Sequence, residues 1–298
     1  MTKITLATFL NERKTQLDVK LPEYIHYLNA PESLKKAMLY SLQAGGKRLR
    51  PMLLFATVEG FNEHYEESIP VACAIEMLHT YSLIHDDLPA MDNDDFRRGK
   101  PTNHKVFGEA SAILAGDALL TLSFQVISTM NEKSVNANQK LTLIKELAIA
   151  SGAEGMVGGQ VADMEGERKK TITLPELEYI HHHKTGDLLS YSIIAGAIFA
   201  NADESSISNL RNFARRLGLA FQIKDDILDI EGSEVALGKP VGSDITNEKS
   251  TYPKLLGLDA AKEKLADHIF KAKEYLYKVK MNHEKLELLA DYITNRDR

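Results

Sequence analysis

The chain has 298 residues, and its 36 basic and 42 acidic side chains give a formal net charge of −6. This mild acidity argues against a nucleic-acid-binding protein, which carries a basic excess. The single cysteine, Cys73, excludes an internal disulfide and a thiolate metal cluster. The longest apolar stretch, residues 188–200, is shorter than the ~20 residues that cross a bilayer. The amino terminus lacks the long apolar core of a signal peptide, so we expect a cytoplasmic protein without a membrane span.

Helical periodicity dominates the chain. Leu34, Met38 and Leu42 recur at helical spacing before Gly45-Gly46, a pair that ends a helix. Further helices are predicted over residues 52–59, 69–88, 110–130, 138–150, 175–200 and 209–230. Alternating strand patterns are scarce, and no low-complexity linker divides the chain. The sequence therefore predicts an all-α fold in which residues 1–298 form one helical domain.

Two aspartate-rich segments each follow an apolar helical stretch. They are Asp86-Asp87-Leu-Pro-Ala-Met-Asp92 and Asp225-Asp226-Ile-Leu-Asp229. Asp225 and Asp229 share one helix face. Pro89 should end or kink the first helix, and the two additional residues would have to loop out for Asp92 to rejoin Asp86. Carboxylates about 6 Å apart repel by roughly 3 kcal/mol at an effective dielectric of about 20. Bound hard cations such as Mg²⁺ relieve this repulsion; the alternative is two solvated acidic helix ends.

Basic residues lie near glycines at several points. They are Lys47, Arg48 and Arg50 after Gly45-Gly46, Arg97 and Arg98 before Gly99, Lys184 before Gly186, and Lys239 after Gly238. Such positions can hold an anion, although the arginines can also neutralise nearby aspartates and each lysine alone can be a surface residue.

Histidines give weaker signals. His79 lies seven residues before Asp86 on almost the same helical azimuth, as either a ligand or a packed core residue. The run His181-His182-His183 is interpreted as structural, because adjacent helical residues diverge by about 100° and cannot all bind one ion.

These segments occur together in one known family. The chain resembles the trans-prenyltransferases, and among them the bacterial farnesyl diphosphate synthases, from about residue 34 to residue 250. The segments that carry the resemblance are Gly45-Gly-Lys-Arg-Leu-Arg-Pro51, Asp86 to Asp92 with Arg97-Arg98-Gly-Lys-Pro-Thr-Asn-His104, Lys184-Thr185, and Phe221-Gln222-Ile-Lys-Asp-Asp-Ile-Leu-Asp229. The family implies a single large helical bundle around a deep central cavity, usually in a homodimer. It also implies Mg²⁺-dependent condensation of an allylic diphosphate with isopentenyl diphosphate.

The resemblance also implies a role for each matching residue. By this resemblance, three Mg²⁺ ions are bound by Asp86, Asp87, Asp92, Asp225 and Asp229. The allylic diphosphate is bound by Arg97, Lys184 and Lys239. Isopentenyl diphosphate is bound by Lys47, Arg50, His79 and Arg98. An allylic carbocation is stabilised by Lys184, Thr185 and Gln222.

Tyr81 is the candidate for limiting product length. It lies five residues before Asp86, ~7.5 Å deeper along the helix, and its neighbour Ser82 is small. Family members with an aromatic residue here, together with the insertion Pro89-Ala90, typically stop at fifteen carbons, which predicts (2E,6E)-farnesyl diphosphate. A geranylgeranyl diphosphate synthase is the alternative, and Tyr81 can also simply pack in the core.

Other classes explain fewer residues. A terpene cyclase needs no basic isopentenyl site and leaves Lys47, Arg50 and His79 unexplained. A metal-dependent phosphohydrolase built on His85-Asp86 needs further histidine ligands and leaves the second aspartate cluster unexplained. A non-catalytic partner subunit usually carries degraded aspartate motifs, whereas both are intact here.

Overall fold

A computed structural model describes residues 5–169, 171–231 and 250–296. Within these ranges the all-α prediction is confirmed, because strands are confined to one two-residue antiparallel pair, β1 (Phe96–Arg97) and β2 (Lys100–Pro101). The α-helices are α1 (Leu6–His26), α2 (Glu32–Leu42), α3 (Leu49–Gly60), α4 (Ile69–Asp86), α5 (Asn103–Phe107), α6 (Glu109–Ser128), α7 (Ala137–Ser151), α8 (Met156–Glu167), α9 (Leu174–Ile180), α10 (Asp187–Phe199), α11 (Glu204–Glu231), α12 (Tyr252–Leu256), α13 (Leu258–Leu276) and α14 (Glu284–Asn295). A short 3₁₀ helix (Tyr65–Ser68) precedes α4, and a π-helix (His181–Gly186) joins α9 to α10.

The chain divides into two compact units. Unit 1 comprises residues 1–55 and 64–144, and unit 2 comprises residues 56–63 and 145–298. A single domain for the whole chain stays a prediction, and the two units are described separately below.

Helix α4 is the central element of unit 1. Every residue from Val71 to Leu78 is buried, so the helix lacks an exposed face over two turns and packs against α6. It ends at Asp86, two residues before the predicted end at residue 88, so Pro89 follows the helix end and does not kink the helix. The end of α4 lies against α6 at Gly116, where a Cβ atom would approach His85 Nε2 to 2.3 Å. The packing of α4 therefore determines where the first aspartate cluster begins.

Helix α6 changes the membrane prediction. Its best 18-residue window has a mean hydropathy of 1.6, so by length and composition α6, rather than residues 188–200, is the segment able to cross a bilayer. Of that window, 44% is buried within the protein. A single helix of this kind is weak evidence for a membrane, since a core helix passes the same test. Its exposed face carries Ile113 and Leu114, which are 42% and 59% accessible.

Unit 2 is built around α10 and α11. All residues of α10 from Leu188 to Phe199 are buried, and the 28-residue α11 packs against both α10 and α13. The single helix predicted over residues 175–200 was wrong. Thr173 and Glu176 form a capping box that begins α9, but the backbone then changes to the π-helix before α10. Single-turn π segments inside α-helices are rare and occur frequently at functional sites.

Gly159 allows α8 to lie directly against the π-helix. A Cβ atom at this position would lie 2.1 Å from the backbone nitrogen of Lys184 and 2.6 Å from the carbonyl carbon of His183. Both contacts are with main-chain atoms, which cannot swing aside. The position of Lys184 therefore depends on the absence of a side chain at residue 159.

We expect Gly159→Ala to lower the free energy of unfolding by about 1–3 kcal/mol, the cost of forcing a methyl group into a packed interior. The measurement is urea denaturation followed by circular dichroism. Gly166→Ala is the matched control on the same helix, because its new methyl would meet side-chain methyl groups alone, Ile180 Cδ1 at 3.3 Å and Ile172 Cγ2 at 3.7 Å. Equal stability of the two variants would contradict the backbone contact.

Candidate active site

The first aspartate cluster closes as its spacing predicted. The backbone N–H of Asp92 donates to the carbonyl of Asp86 at 2.9 Å, so the intervening residues loop out. Asp87 is buried and accepts hydrogen bonds from Arg97, with Nε at 2.6 Å and Nη2 at 2.5 Å. Burial raises the pKa of Asp87, while the Arg97 guanidinium opposes that rise. Asp92 is exposed. The cluster thus combines a buried carboxylate paired with Arg97 and an exposed carboxylate at Asp92.

The predicted isopentenyl residues also converge in unit 1. Arg50 Nη1 lies 3.4 Å from His79 Nε2, and Arg98 donates to the carbonyl of Gly45. Gly46 has φ +123°, and a Cβ atom there would lie 2.7 Å from Cζ of Arg98. The positive φ therefore favours glycine, and any side chain at residue 46 would displace the end of Arg98. Lys47 follows directly in the same turn.

His79 is held in its neutral form by this environment. Burial lowers the pKa of His79 well below its ordinary value, and the charges of Arg50 and Arg98 lower it further. At neutral pH the imidazole is therefore uncharged and can accept one hydrogen bond while donating another.

The buried side chain of Arg48 anchors the basic turn formed by residues 45–50, a role that the sequence did not indicate. Its side chain is 3% exposed and donates to Glu76 Oε2 at 2.6 Å and to Asp18 Oδ1 at 3.0 Å. A third bond, of 2.6 Å, reaches the carbonyl of Leu42. Burial opposes the charge of Arg48, but the two carboxylates outweigh it and its pKa is raised. The turn is thereby tied to α1, α2 and α4.

Tyr81 and Ser82 lie on α4 ahead of the aspartates. The Tyr81 ring contacts the His85 ring edge to face, with 5.0 Å between centroids, and burial raises the pKa of its phenol. Ser82 Oγ donates to the carbonyl of His79 at 2.9 Å. Tyr81 is therefore a neutral, partly enclosed ring one turn before the aspartate cluster.

In unit 2 a cavity of about 190 Å³ brings together Lys184, Gln222 and Asp225. Lys184 Nζ lies 2.5 Å from Asp163 Oδ2, a partner that no sequence signal indicated. Gln222 Nε2 donates to Asp225 Oδ2 at 3.4 Å. Thr185 follows Lys184 in the π-helix, and Asp229 is buried one turn after Asp225 on α11. Three of the predicted unit 2 residues thus line one cavity.

Arg296, near the carboxyl end, is a further unpredicted member of this site. Its Nη2 lies 2.7 Å from Asp225 Oδ1 and also donates to the carbonyl of Phe221. The guanidinium carbon lies 3.9 Å from the centroid of the Phe221 ring. Asp225 therefore has a cationic partner in this structure, as Asp87 does in unit 1. The predicted ligand Lys239 lies outside the described residues.

The three histidines of the π-helix do not all face one position, as predicted, but two of them contact the same carboxylate. His181 Nε2 lies 3.3 Å from the buried Asp226, which also accepts the backbone N–H of Tyr252 at 2.9 Å. His182 and His183 instead share Asp187, because each ring reaches a different oxygen of that carboxylate. The divergence of adjacent helical residues thus separates one histidine and leaves two together.

The donor chemistry of both aspartate sets fits Mg²⁺. The predicted ligands are all carboxylates, the hard oxygen donors that this ion prefers. In each set one aspartate forms an ion pair with an arginine, which reduces the negative charge of the set. Asp86, Asp87 and Asp92 would hold ions in unit 1, and Asp225 and Asp229 would do so in unit 2.

An all-helical fold that carries an aspartate set beside basic residues in each unit defines the isoprenoid synthase class. The chain belongs to the polyprenyl synthetase family, whose model matches residues 31–286. It is 57% identical over 297 residues to farnesyl diphosphate synthase of Geobacillus stearothermophilus, covering 100% of both chains. It is 56% identical over 292 residues to the Bacillus subtilis enzyme of the same name, covering 98% of each. A solved FPP/GFPP synthase from Zymomonas mobilis matches with a TM-score of 0.86 and 39% identity, over 97% of this chain and 98% of that one.

We expect Arg48→Met to lower the free energy of unfolding by about 3–5 kcal/mol, because it leaves the buried Glu76 carboxylate without its partner. Urea denaturation measures this loss. The double variant Arg48→Met/Glu76→Met should recover part of it, since no unpaired buried charge remains at residue 76.

The control is Lys20→Met, which breaks the exposed pair with Glu23 and should change stability by less than about 1 kcal/mol. A loss in Arg48→Met no larger than in this control would refute the anchoring role.

Proposed function

We propose that the protein condenses dimethylallyl or geranyl diphosphate with isopentenyl diphosphate to give (2E,6E)-farnesyl diphosphate and diphosphate. The observation that carries this proposal is the convergence of Arg50, His79 and Arg98 in the unit that also holds Asp86 and Asp92. A cyclase has no use for that second anion site. The proposal also draws on the names of the Geobacillus and Bacillus relatives.

The reaction begins when the C–O bond between the allylic carbon and its diphosphate breaks. Three Mg²⁺ ions, when bound by the two aspartate sets, supply positive charge to the departing diphosphate. Arg97, Lys184 and Lys239 hold that diphosphate. The isopentenyl double bond then forms the new C–C bond, and a proton leaves for the released diphosphate. This route fits a site in which the sequence offered no separate general base.

Isopentenyl diphosphate is held by Lys47, Arg50, His79 and Arg98. The neutral imidazole of His79 suits this role, because it lies among cations and can turn either an N–H or a lone pair towards a ligand. One arginine side chain can donate two parallel hydrogen bonds to two oxygens of a phosphate group. This geometry orients the substrate as well as retaining it.

The carbocation is stabilised by oxygen dipoles in unit 2. Gln222 directs its amide nitrogen to Asp225, so its amide oxygen is turned to a different side, where it can face the developing charge. The Thr185 hydroxyl and the Lys184 carbonyl complete this set. Preorganised dipoles of this kind stabilise charge without having to reorient during the reaction.

The test is mass analysis of the products formed from isopentenyl diphosphate, dimethylallyl diphosphate and Mg²⁺. A fifteen-carbon diphosphate that disappears with a chelator supports the proposal. A twenty-carbon product supports a geranylgeranyl diphosphate synthase instead. Release of phosphate without condensation would refute prenyl transfer.

Tyr81 sets the product length in this proposal, since its enclosed ring lies on α4 ahead of the aspartates. Tyr81→Ala should lengthen the main product to twenty carbons or more, because a side chain that blocks the growing chain is removed. Product chromatography measures this change. Tyr81→Phe is the matched control and should still stop at fifteen carbons. An Ala variant that makes only farnesyl diphosphate would show that the ring only packs in the core.

We further propose that the protein acts as a cytoplasmic homodimer and that residues 1–298 work as one domain. The exposed face of α6 supports the dimer. Ile113 and Leu114 lie one turn after Ala110 on that face, and such apolar patches are typical of protein–protein contacts. A two-fold contact would pair this face with its own copy.

Leu114→Glu should therefore shift the protein towards monomer, because it places a charge within an apolar contact. Sedimentation velocity measures the change. Val19→Glu, at a 60% exposed position on α1, is the control and should leave the assembly unchanged. If the wild-type protein is instead monomeric and co-sediments with lipid vesicles, the exposed face of α6 contacts a membrane and not a second copy.

A further inference from the structure

A second group of potential metal ligands lies in unit 2, formed by residues to which the reaction gives no role. It consists of His182, His183 and Asp187, at the π-helix and the first residue of α10. His183 Nδ1 lies 2.7 Å from Asp187 Oδ2, and His182 Nε2 lies 3.5 Å from Asp187 Oδ1. The side chains are 17–21% exposed, so they are partly shielded from water.

We propose that His182 Nε2, His183 Nδ1 and a carboxylate oxygen of Asp187 bind one zinc ion. The three ligand atoms all lie within 4.8 Å of one another. A tetrahedral ion with bonds of ~2.0–2.1 Å needs ligand atoms ~3.4 Å apart, so small side-chain rotations suffice. Two imidazoles and one carboxylate leave a fourth position for water. Because nitrogen donors favour zinc and cobalt over magnesium, this site is chemically distinct from the aspartate sets.

Neighbouring side chains position the two histidine rings, which lie 4.8 Å apart between centroids. Tyr179 packs on His183, with 4.2 Å between ring centroids. A Cβ atom added at Gly186 would lie 3.5 Å from His182 Nδ1, an ordinary van der Waals contact, so Gly186 lies directly beside the ring.

Two arginines on α11 oppose a bound cation. Arg211 and Arg215 both act electrostatically on Asp187. Arg211 is partly neutralised by Glu146, with 3.0 Å between Nη2 and Oε2. Arg215 lines an open cleft together with His182 and Tyr179, and this cleft gives an ion access to the ligands. Arg215 should therefore weaken the affinity without blocking the site.

The experiment is titration of the full-length protein with Co²⁺, a spectroscopic substitute for zinc, in excess Mg²⁺ that occupies the aspartate sets. We expect one equivalent of Co²⁺ to bind with visible d–d absorption and to be displaced by Zn²⁺. His182→Gln and Asp187→Asn should each weaken binding roughly tenfold or more. His64→Gln, which alters an exposed histidine in unit 1, is the control and should bind as the wild type does.

Arg215→Gln provides a test of opposite sign, since removing the nearby positive charge should tighten Co²⁺ binding. Circular dichroism establishes that each variant is folded before titration. The proposal is overturned if His182→Gln retains the wild-type absorption and affinity, if no absorption appears, or if Arg215→Gln leaves the affinity unchanged.

Discussion

The buried ion network around Arg48 is the constraint on which the basic half of the candidate site depends. A turn that gathers Lys47, Arg50 and Arg98 accumulates like charges, which repel one another. Arg48 adds a fourth cation, but it is matched by Glu76 and Asp18 and so adds little to that repulsion. Its hydrogen bonds instead hold the turn in a conformation with positive φ at Arg48 itself, at +53°. Loss of either partner would leave an uncompensated buried charge beneath the turn.

The two aspartate clusters follow the same electrostatic logic with the signs exchanged. Each cluster has one carboxylate matched by an arginine, Asp87 by Arg97 and Asp225 by Arg296. The pairing reduces the repulsion that the bare clusters would otherwise suffer. In each unit a guanidinium therefore offsets part of the negative charge that the aspartates bring together.

The sequence predicted what depends on local order along the chain. Helical periodicity identified α4, α6 and α11, and Pro89 located the end of α4 to within a few residues. Motif order identified the family. Partners that meet only after folding were missed, because nothing near Asp163 or Arg296 in the chain indicates Lys184 or Asp225. The burial of Arg48 was equally hidden, since its neighbours in sequence are basic residues of the same kind.

The π-helix between α9 and α10 shows why local patterns could not reveal all of the unit 2 site. A π-turn changes the backbone hydrogen-bond register without changing the apolar periodicity on either side, so residues 175–200 looked like one helix. The change is maintained by close backbone packing from two directions. Gly159 on α8 lies against Lys184, and a Cβ at Gly218 on α11 would lie 3.0 Å from the Cα of Gly186. Gly159 and Gly218 thus pack against an uncommon backbone turn that itself ends in Gly186. That turn carries Lys184 and Thr185 and directs His181 and His182 to different carboxylates.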